Sequence, residues 1–508
     1  MLNLLSDIKD LLGYRVYLGR EPRAVGPGSI VLFPLLPDIL CCGLTGIVKI
    51  NKALTGPPGN AQEAADLFAV IRKAGLKEVF AASIPAGKYL LGMDHLKQLG
   101  DAICRWKLDE NFREIFFDAG KAGTLGQLAA AMKEFIREQD ASLQKSAFRL
   151  STEELEHVNT SLILLKDLQW ALEMDILKNI GQIADLAASG NGSKISPDAL
   201  GKYSRMNFLL NCLNRLEVRG RDSAGIQVSL LFANEDEYSG AVKKLRRLKL
   251  YNLFLDRSGN GDLKNGSIHI CGEAGRVSVA FTYKTASIIG ELGRNVRILR
   301  STIRSDRIFQ IFAGLPVDCE VSFAHTRWAS VGSITEENCH PVNNFTLPAA
   351  PDEIPPGGFC AIPREIKISG NDGMINYPAY GRGNWCISVA LNGDIDNYSE
   401  LRAGLENGQE GRIAPELTTD TKIIPLQIQK YLREGKPFEE AFRLALNDFE
   451  GSHAIAAFSN MEPDKIFLAL RGSGTCEGNV TSSKSTRKNS QSLPASRTRM
   501  FDALRSAW

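Results

Sequence analysis

Two adjacent cysteines, Cys41 and Cys42, lie directly before an apolar, strand-like run that begins at Gly43, "CCGLTGIV". A thiol is a strong nucleophile but is only partly ionised near neutral pH, so it needs a base or a lowered pKa. An N-terminal cysteine carries a base in its own α-amino group, whose reference pKa is about 8. Cys42 has that base only if residues 1–41 are removed. On these residues alone, the alternative is that both cysteines are buried apolar side chains.

Three further segments carry polar residues suited to binding and polarising a substrate. Arg327 in "AHTRWAS" offers a planar guanidinium that holds a carboxylate through two parallel bonds, although a lone arginine more often forms a surface ion pair. Asn392 and Gly393 in "LNGDID" supply an amide and a backbone N–H that suit an oxyanion, although Asn-Gly is first a turn signal. Asp420 in "TTDTK" is an anion, although an Asp before Thr is more often a helix cap.

Four segments resemble, in order and content, the glutaminase domain of the class II glutamine amidotransferases, which are N-terminal-nucleophile (Ntn) hydrolases. They are "CGLTGIV" at 42–48, "RLEVRGRDSAGIQV" at 215–228, "AHTRWASVGSITEENCHP" at 324–341, and "LNGDIDNYSELR" at 391–402 with "TTDTKIIP" at 418–425. Within that class the segments are most similar to the hexosamine-forming branch, glutamine:fructose-6-phosphate amidotransferase. The resemblance covers residues 42–50 and roughly 205–474, a little over half of the chain.

The resemblance implies a catalytic role for Cys42, Asn392 and Gly393. Cys42 matches the nucleophile, which predicts that residues 1–41 are a propeptide removed by self-cleavage between Cys41 and Cys42. Asn392 and Gly393 match the oxyanion hole, in which loss of one donor typically costs about 2.7–4 kcal/mol of barrier.

Other residues are assigned to substrate binding and to support of the site by the same resemblance. Arg327 and Ser330 should bind the α-carboxylate of glutamine, Asp420 should pair with the α-ammonium, and Trp328 is either core or pocket wall. The supporting residues are Arg219 and Asp222 in a fixed network, and Gly220 and Gly225, which allow close backbone approach. His340 is expected to be a hinge or to support the residues that contact the substrate, and not to be a general base, and His325 is expected to be a packed side chain.

The chain departs from the family pattern in three places. Ser330-Val331 stands where the family commonly has Thr-His, and Leu391 stands where a histidine often precedes Asn-Gly, so we expect weaker glutamine binding or an adapted pocket. We also expect the chain to lack the sugar isomerase domains of the hexosamine synthases. Either a separate subunit supplies the site for the ammonia acceptor, or the chain is a truncated product.

The expected fold class is α+β, a four-layer αββα Ntn-hydrolase sandwich with a large helical insertion, as the resemblance implies. We expect a propeptide at 1–41, an amidotransferase domain at 42–474 interrupted by helices at 55–195, and a disordered basic tail at 475–508. Ser151 and Glu154 form a predicted capping box at the start of the clearest helix. Ser196 and Pro197 predict another helix start, before the pattern changes from helical to strand-like at "RDSAGIQVSLLF".

Composition limits the class of protein and its partners. A 508-residue chain with 44% hydrophobic residues and a net charge of +2 is typical of a protein with two to four compact units and gives no global attraction to nucleic acid or membrane. Its ten cysteines show neither a disulfide framework nor zinc spacing, which favours a reducing cytosol. The apolar run at 28–48 contains two prolines and an aspartate, so two strands around a proline turn are expected there and not a membrane span.

The predicted reaction converts L-glutamine to glutamate and ammonia through a thioester on Cys42, with no cofactor and no metal. The expected acceptor of ammonia is fructose 6-phosphate, and a homodimer is the assembly considered. Three rivals stay open: another class II amidotransferase, of the phosphoribosyl-pyrophosphate or asparagine-forming type; a non-catalytic glutamine-binding or scaffold subunit; and an Ntn peptidase or amide hydrolase acting on another substrate.

Overall fold

The computed structural model divides into two compact units, each considered by itself below. The first comprises Met1–Asn51, Leu186–Ala188 and Arg205–Lys488, and the second comprises Lys52–Asp185, Ser189–Ser204 and Asn489–Trp508. The structure describes residues 14–17, 23–25, 29–33, 43–50, 57–81, 85–188, 195–218, 220–232, 234–258, 262–263, 267–273, 276–286, 291–347, 362–366, 375–379, 385–407, 412–472 and 477–481.

The described part of the second unit is helical. Its helices are α1 (Ala61–Ile71), α2 (Leu76–Ala81), α3 (Met93–Cys104), α4 (Asp109–Phe117), α5 (Ala119–Ser146), α6 (Thr152–Trp170) and, after a π-helical stretch at Ala171–Leu177, α7 (Lys178–Leu186). The capping box predicted for α6 is confirmed, because Glu154 N–H donates to Ser151 Oγ and Ser151 N–H donates to the Glu154 carboxylate. Apolar residues along α5 and α6 are buried between the helices, as the spacing predicts.

Helix α8 (Pro197–Leu216) joins the two units along the chain. Ser196 Oγ accepts from Ala199 N–H at 3.2 Å, so the predicted cap followed by proline is confirmed. The remaining helices belong to the first unit: α9 (Glu235–Arg247), α10 (Tyr251–Ser258), α11 (Arg294–Ser305), α12 (Arg307–Ala313), α13 (Tyr398–Asn407), α14 (Ile423–Arg433) and α15 (Phe438–Asp448).

The first unit contains fifteen described strands, and every pairing among them is antiparallel. They are β1 (Tyr14–Tyr17), β2 (Arg23–Val25), β3 (Ser29–Phe33), β4 (Gly43–Ile50), β5 (Ser223–Phe232), β6 (Ile268–Glu273), β7 (Arg276–Ala286), β8 (Cys319–Arg327), β9 (Val342–Asn343), β10 (Ile362–Ile366), β11 (Ile375–Ala379), β12 (Ile387–Gly393), β13 (His453–Ser459), β14 (Ile466–Arg471) and β15 (Glu477–Thr481).

The strands form one eight-stranded sheet, one five-stranded sheet and one two-stranded sheet. The eight-stranded order is β1-β15-β3-β4-β8-β5-β7-β6, the five-stranded order is β2-β14-β13-β12-β9, and β10 pairs with β11. The pairing of β3 with β4 is the strand pair predicted at 28–48, whose prolines lie outside the described residues. Strand β15 lies within the tail at 475–508, so that segment contains a strand that its composition did not predict.

A shared apolar core lies between the two larger sheets. It takes Leu44 and Phe323 from the eight-stranded sheet and Ala390, Ala456 and Ile466 from the five-stranded sheet. On its other face the five-stranded sheet packs against α14 and α15. Alternation along β12 explains the two contacts, because Val389 and Leu391 face the helices whereas Ala390 faces the other sheet. The predicted mixture of helices and antiparallel sheets is therefore present.

None of the helices in the described part of the chain has the length and apolar content that a bilayer crossing needs.

Candidate active site

Segments far apart in the sequence meet at one end of β4, β8 and β5. Gly43, the first residue of β4, pairs with Thr326 of β8, and Ser223, the first residue of β5, pairs with Arg327 at the end of β8. Antiparallel pairing therefore places the beginning of the "CGLTGIV" motif beside the end of "AHTR". Cys42 and Arg219 lie outside the described residues, so the roles assigned to them stay predictions.

Arg327 is buried, with 3% of its surface exposed, and the backbone anchors its guanidinium. Nη1 donates to the carbonyl of Ser333 at 3.0 Å, and Nη2 donates to the carbonyl of Val331. A guanidinium is planar, so these two bonds fix the orientation of its plane. Arg327 therefore has the fixed orientation that bidentate recognition of a carboxylate requires.

The side-chain amide of Asn392 is buried at the end of β12. The residue is 4% exposed, and neither its Nδ2 nor its Oδ1 has a hydrogen-bond partner in the described part of the chain. A buried amide without a partner typically costs about 1–3 kcal/mol. Successive side chains of β12 point to opposite faces of the sheet. Val389 and Leu391 face the helices, so Asn392 lies on the opposite face. The amide is thus available to a bound molecule between the sheets.

Asp420 is buried in a short 3₁₀ turn, Asp420–Lys422, directly before α14. Its Oδ2 accepts from Ile395 N–H at 2.9 Å, just beyond the Asn-Gly pair. Burial raises the pKa of Asp420 above its usual value and Asp394 raises it further, whereas the Ile395 bond and the charge of Arg327 lower it. Thr419 occupies the cap position of the turn, so Asp420 does not fill the cap role considered above.

Ser330 and Asp222 connect the end of β8 to its neighbours. Ser330 Oγ donates to Asp394 Oδ1, which brings the loop after β8 to the loop after β12. Asp222 Oδ2 accepts from Ala329 N–H at 2.9 Å, and Asp222 N–H donates to the Arg327 carbonyl at 3.2 Å. Trp328 is 39% exposed and is not a core residue.

Two buried histidines, His325 and His340, pack against each other, with ring centroids 4.4 Å apart and ring planes tilted by 39°. Burial lowers the pKa of His340 well below its usual value, and His325 and Arg327 lower it further, so the ring is neutral. Its Nδ1 accepts from Leu391 N–H at 3.4 Å, which leaves the proton on Nε2, 2.8 Å from Thr421 Oγ1. His340 therefore connects β12 with the turn that carries Asp420. His325 is fully buried, so the prediction that it is a packed side chain is confirmed.

Close backbone approach explains the glycines that the sequence analysis selected. A Cβ atom at Gly225 would lie 2.1 Å from the His340 carbonyl oxygen, and one at Gly220 would lie 2.8 Å from the Arg327 carbonyl carbon. Gly393 has a φ of +118°, and a Cβ there would lie 2.1 Å from the Ser452 carbonyl oxygen. No side chain fits at these positions without a backbone shift.

Two of the residues that depart from the family motif, Leu391 and Val331, have defined places in the structure. Leu391 is 1% exposed and packs in the core shared with α14 and α15, so its side chain points away from Asn392. Val331 contributes its carbonyl oxygen to Arg327, a contact that does not depend on its side chain.

Sequence reasoning missed two residues that hold this region together. Asn338 is fully buried and bonds to Glu416 and Thr419, just before the turn that carries Asp420, and Asp394 accepts from Ser330. Both lie inside quoted motifs, but nothing in their spacing distinguishes them from ordinary loop residues.

Arg327 and Asp420 are buried and interact electrostatically, and Asp420 bonds to Ile395 three residues beyond Asn392, whose amide has no partner in the described part of the chain. The cation and the carboxylate suit the two charged ends of an α-amino acid, and the amide suits a developing oxyanion. Within the described ranges, no group of three or more His, Cys, Asp or Glu side chains is arranged to hold a metal ion.

Sequence comparison relates the chain to a set of curated enzymes over part of its length. No family model matches the chain. It is 33% identical over 153 residues to glutamine--fructose-6-phosphate aminotransferase of Methanothermobacter thermautotrophicus, covering 30% of this chain and 19% of that protein. The same-named proteins of Chlorobaculum tepidum and Neisseria meningitidis serogroup A are 24% and 27% identical over 276 and 271 residues. These matches cover 54% and 53% of this chain and 28% and 27% of those proteins. The chain thus spans less than a third of the length of these relatives, and the resemblance inferred from its motifs is confirmed.

A solved structure of glutamine phosphoribosylpyrophosphate amidotransferase from B. subtilis, complexed with ADP and GMP, aligns with 50% of this chain and 41% of that one. Its sequence is 14% identical and the TM-score is 0.23, a similarity too low to bear on function.

Proposed function

We propose that the chain is a class II glutamine amidotransferase domain that hydrolyses L-glutamine to glutamate and ammonia. The observation that carries the proposal is the buried amide of Asn392, which has no partner in the described part of the chain and ends strand β12, whose following residues Asp394 and Ile395 bond to Ser330 and Asp420. The curated relatives, whose names include glutamine and an aminotransferase activity, support the same substrate.

The proposal includes the four-layer αββα architecture of the Ntn hydrolases. Its support is the apolar core between the two larger sheets, with α14 and α15 packed on the five-stranded sheet and α8 and α11 in contact with the eight-stranded sheet. The helices between Lys52 and Asp185 then represent an insertion after β4.

In the proposed reaction the Cys42 thiolate attacks the side-chain amide carbon of glutamine. The α-amino group of Cys42, free once residues 1–41 have been removed, takes the thiol proton and delivers it to the departing nitrogen. Ammonia leaves as the carbon–nitrogen bond breaks and the thioester forms. Water then attacks the thioester carbon, and the carbon–sulfur bond breaks to release glutamate. A proton from the water returns to Cys42, which regains its thiol and its free α-amino group.

The described residues bind the substrate and stabilise charge in this scheme. Arg327 and Ser330 hold the α-carboxylate, Asp420 pairs with the α-ammonium, and Trp328 borders the pocket. Asn392 Nδ2 and Gly393 N–H donate to the oxyanion that forms in both steps. Asp222 and His340 keep the loops in place through the contacts described above.

The proposed acceptor of ammonia is fructose 6-phosphate, because the relatives' names contain it. Those relatives are several times longer than the matched region, so acceptor binding is assigned to another part of the protein or to another subunit.

The proposal is tested by incubating the purified chain with L-glutamine and measuring ammonia and glutamate, with intact-mass analysis of the same sample. We expect equal amounts of both products, a species that begins at Cys42, and a covalent adduct on that species with a glutamine-mimicking alkylator. Cys42→Ala should abolish all three results, whereas Cys41→Ala, a change of the neighbouring thiol, should keep turnover. An intact amino terminus without glutamine turnover would contradict the proposal and favour a non-catalytic subunit.

A further inference from the structure

Asn338 is a fully buried side chain that bonds to two separate loops. Its Oδ1 accepts from Thr418 N–H at 2.8 Å and from Thr419 N–H at 2.9 Å. Its Nδ2 lies 2.8 Å from the Glu416 carbonyl and 3.0 Å from Ser333 Oγ. Every polar atom of this amide is therefore used within the described part of the chain, in contrast to Asn392.

The two loops carry the residues proposed to hold the two ends of the substrate. On one side, the Ser333 carbonyl accepts from Arg327 Nη1 at 3.0 Å. On the other side, Thr419 directly precedes Asp420. Only short runs of backbone thus separate Asn338 from the cation and from the carboxylate.

Contacts around Asn338 make this connection stiff. Ser333 N–H donates to Thr418 Oγ1 at 3.0 Å, and Asn338 Nδ2 also lies 3.0 Å from Thr335 Oγ1. Two residues further along, His340 connects Thr421 to the backbone of Leu391. Ser333 and Thr418 are exposed, but Asn338 at the centre of these bonds is fully buried. Hydrogen bonds linked in this way hold their members in one arrangement.

We propose that Asn338 is a positioning residue that sets the separation of Arg327 from Asp420, and thereby selects amides that carry both an α-carboxylate and an α-ammonium. The inference rests on the proposed function and deepens it. A substrate that spans both charged groups gains from correct spacing, whereas a substrate with one charged end does not depend on it.

The test compares three amides in wild type, Asn338→Asp and Asn338→Ala: L-glutamine, glutaramic acid, which lacks the ammonium, and 4-aminobutanamide, which lacks the carboxylate. We expect the alanine variant to raise KM for glutamine about tenfold or more, because several buried groups lose their partner. Its kcat should stay within about threefold, since the reacting atoms are not touched. The preference for glutamine over the one-ended amides should fall by the same factor as KM rises.

The aspartate variant separates positioning from general damage to the fold. Its carboxylate still accepts from Thr418 N–H and Thr419 N–H and loses mainly the bond to the Glu416 carbonyl, so its KM should lie between those of wild type and the alanine variant. Asn344→Ala is the matched control. Asn344 bonds to Ile387 N–H and to the Trp385 carbonyl at the opposite end of β12, and its loss should lower stability without changing the preference.

The outcomes separate failure of the positioning role from failure of the proposed function. If wild type turns over glutamine but both Asn338 variants keep its KM and its preference, or lose only kcat, the positioning role is wrong and the proposed function stands. If wild type neither turns over glutamine nor binds L-glutamate in a calorimetric titration, both ideas are wrong. If the alanine variant does not fold, the aspartate variant decides.

Discussion

Arg327 and Asn392 show two ways in which a buried polar side chain can be prepared for a ligand. Backbone carbonyls fix the guanidinium of Arg327, so little side-chain entropy is left to lose on binding. Asn392 has no partner in the described part of the chain, and its cost to folding is offset only when a bound group uses it. Such a side chain is more informative about function than a polar residue that is already satisfied.

We expect Asn392→Ala to lower kcat for glutamine hydrolysis by about 100- to 1000-fold, because one oxyanion donor is lost. KM should change little, since the amide meets charge that develops only in the transition state. Steady-state ammonia release measures both constants. Asn252→Ala, an exposed asparagine on α10, is the control and should behave as wild type. A kcat within a few-fold of wild type for Asn392→Ala would exclude the oxyanion role.

At the scale of elements, the candidate site is formed by the loops that follow β8 and β12 and by the 3₁₀ turn before α14. The strands hold these loops in place. Ser330, Asp394 and Ile395 connect these ends through the bonds described above. The segment after β12 approaches the loop before β13 so closely that position 393 has no space for a side chain. The Asn-Gly pair is therefore a packing requirement as well as a turn signal.

Gly393→Ala should lower the free energy of unfolding by about 2 kcal/mol or more, because it combines a positive φ with a steric clash. Gly435→Ala separates the two effects. Gly435 also has a positive φ, +81°, but no atom lies within 4 Å of the place that a methyl group would occupy, so only the backbone strain of about 1 kcal/mol is expected. Urea unfolding of both variants gives the comparison. Equal losses would show that close approach at Gly393 contributes nothing.

At the scale of the whole molecule, the first unit buries a set of neutral histidines in and around its sheets. Burial lowers the pKa of His325 to about 3 and those of His269 and His453 to about 4, and it lowers the pKa of His340 as well. The unfolded chain binds these protons near pH 6.5, above the folded values. Stability is therefore fully present above pH 6.5 and is lost as the pH falls toward 3–4.

The pH dependence gives a prediction that one substitution tests. Each such histidine should add a slope of about 1.4 kcal/mol per pH unit below pH 6.5. His325→Phe keeps a ring packed against His340 and should make the slope shallower by about that amount. Urea unfolding between pH 7.5 and 4.5 measures it, and His95→Phe in the helical unit is the control. Identical slopes for wild type and His325→Phe would contradict the assignment.

The sequence by itself determined the strand pair at 28–48, the change from helical to strand-like pattern just before β5, the helix starts at Ser151 and Ser196, and the residue types of the candidate site. These features depend on local periodicity, capping residues and short motifs, all of which involve residues that are close together in the sequence. The close approaches at Gly220 and Gly225 also followed from the motif, because only glycine meets that requirement.

Only the tertiary structure decided which of these residues lie together and how each is held. Asn338 bonds to residues 78 to 81 positions away, and Leu391 faces the helices while its neighbour Asn392 faces the other sheet. The physical reason is that hydrogen-bond partners and strand faces depend on long-range packing, which no local pattern encodes. Sequence pattern therefore predicted the chemistry of the site, and chain folding decided its geometry.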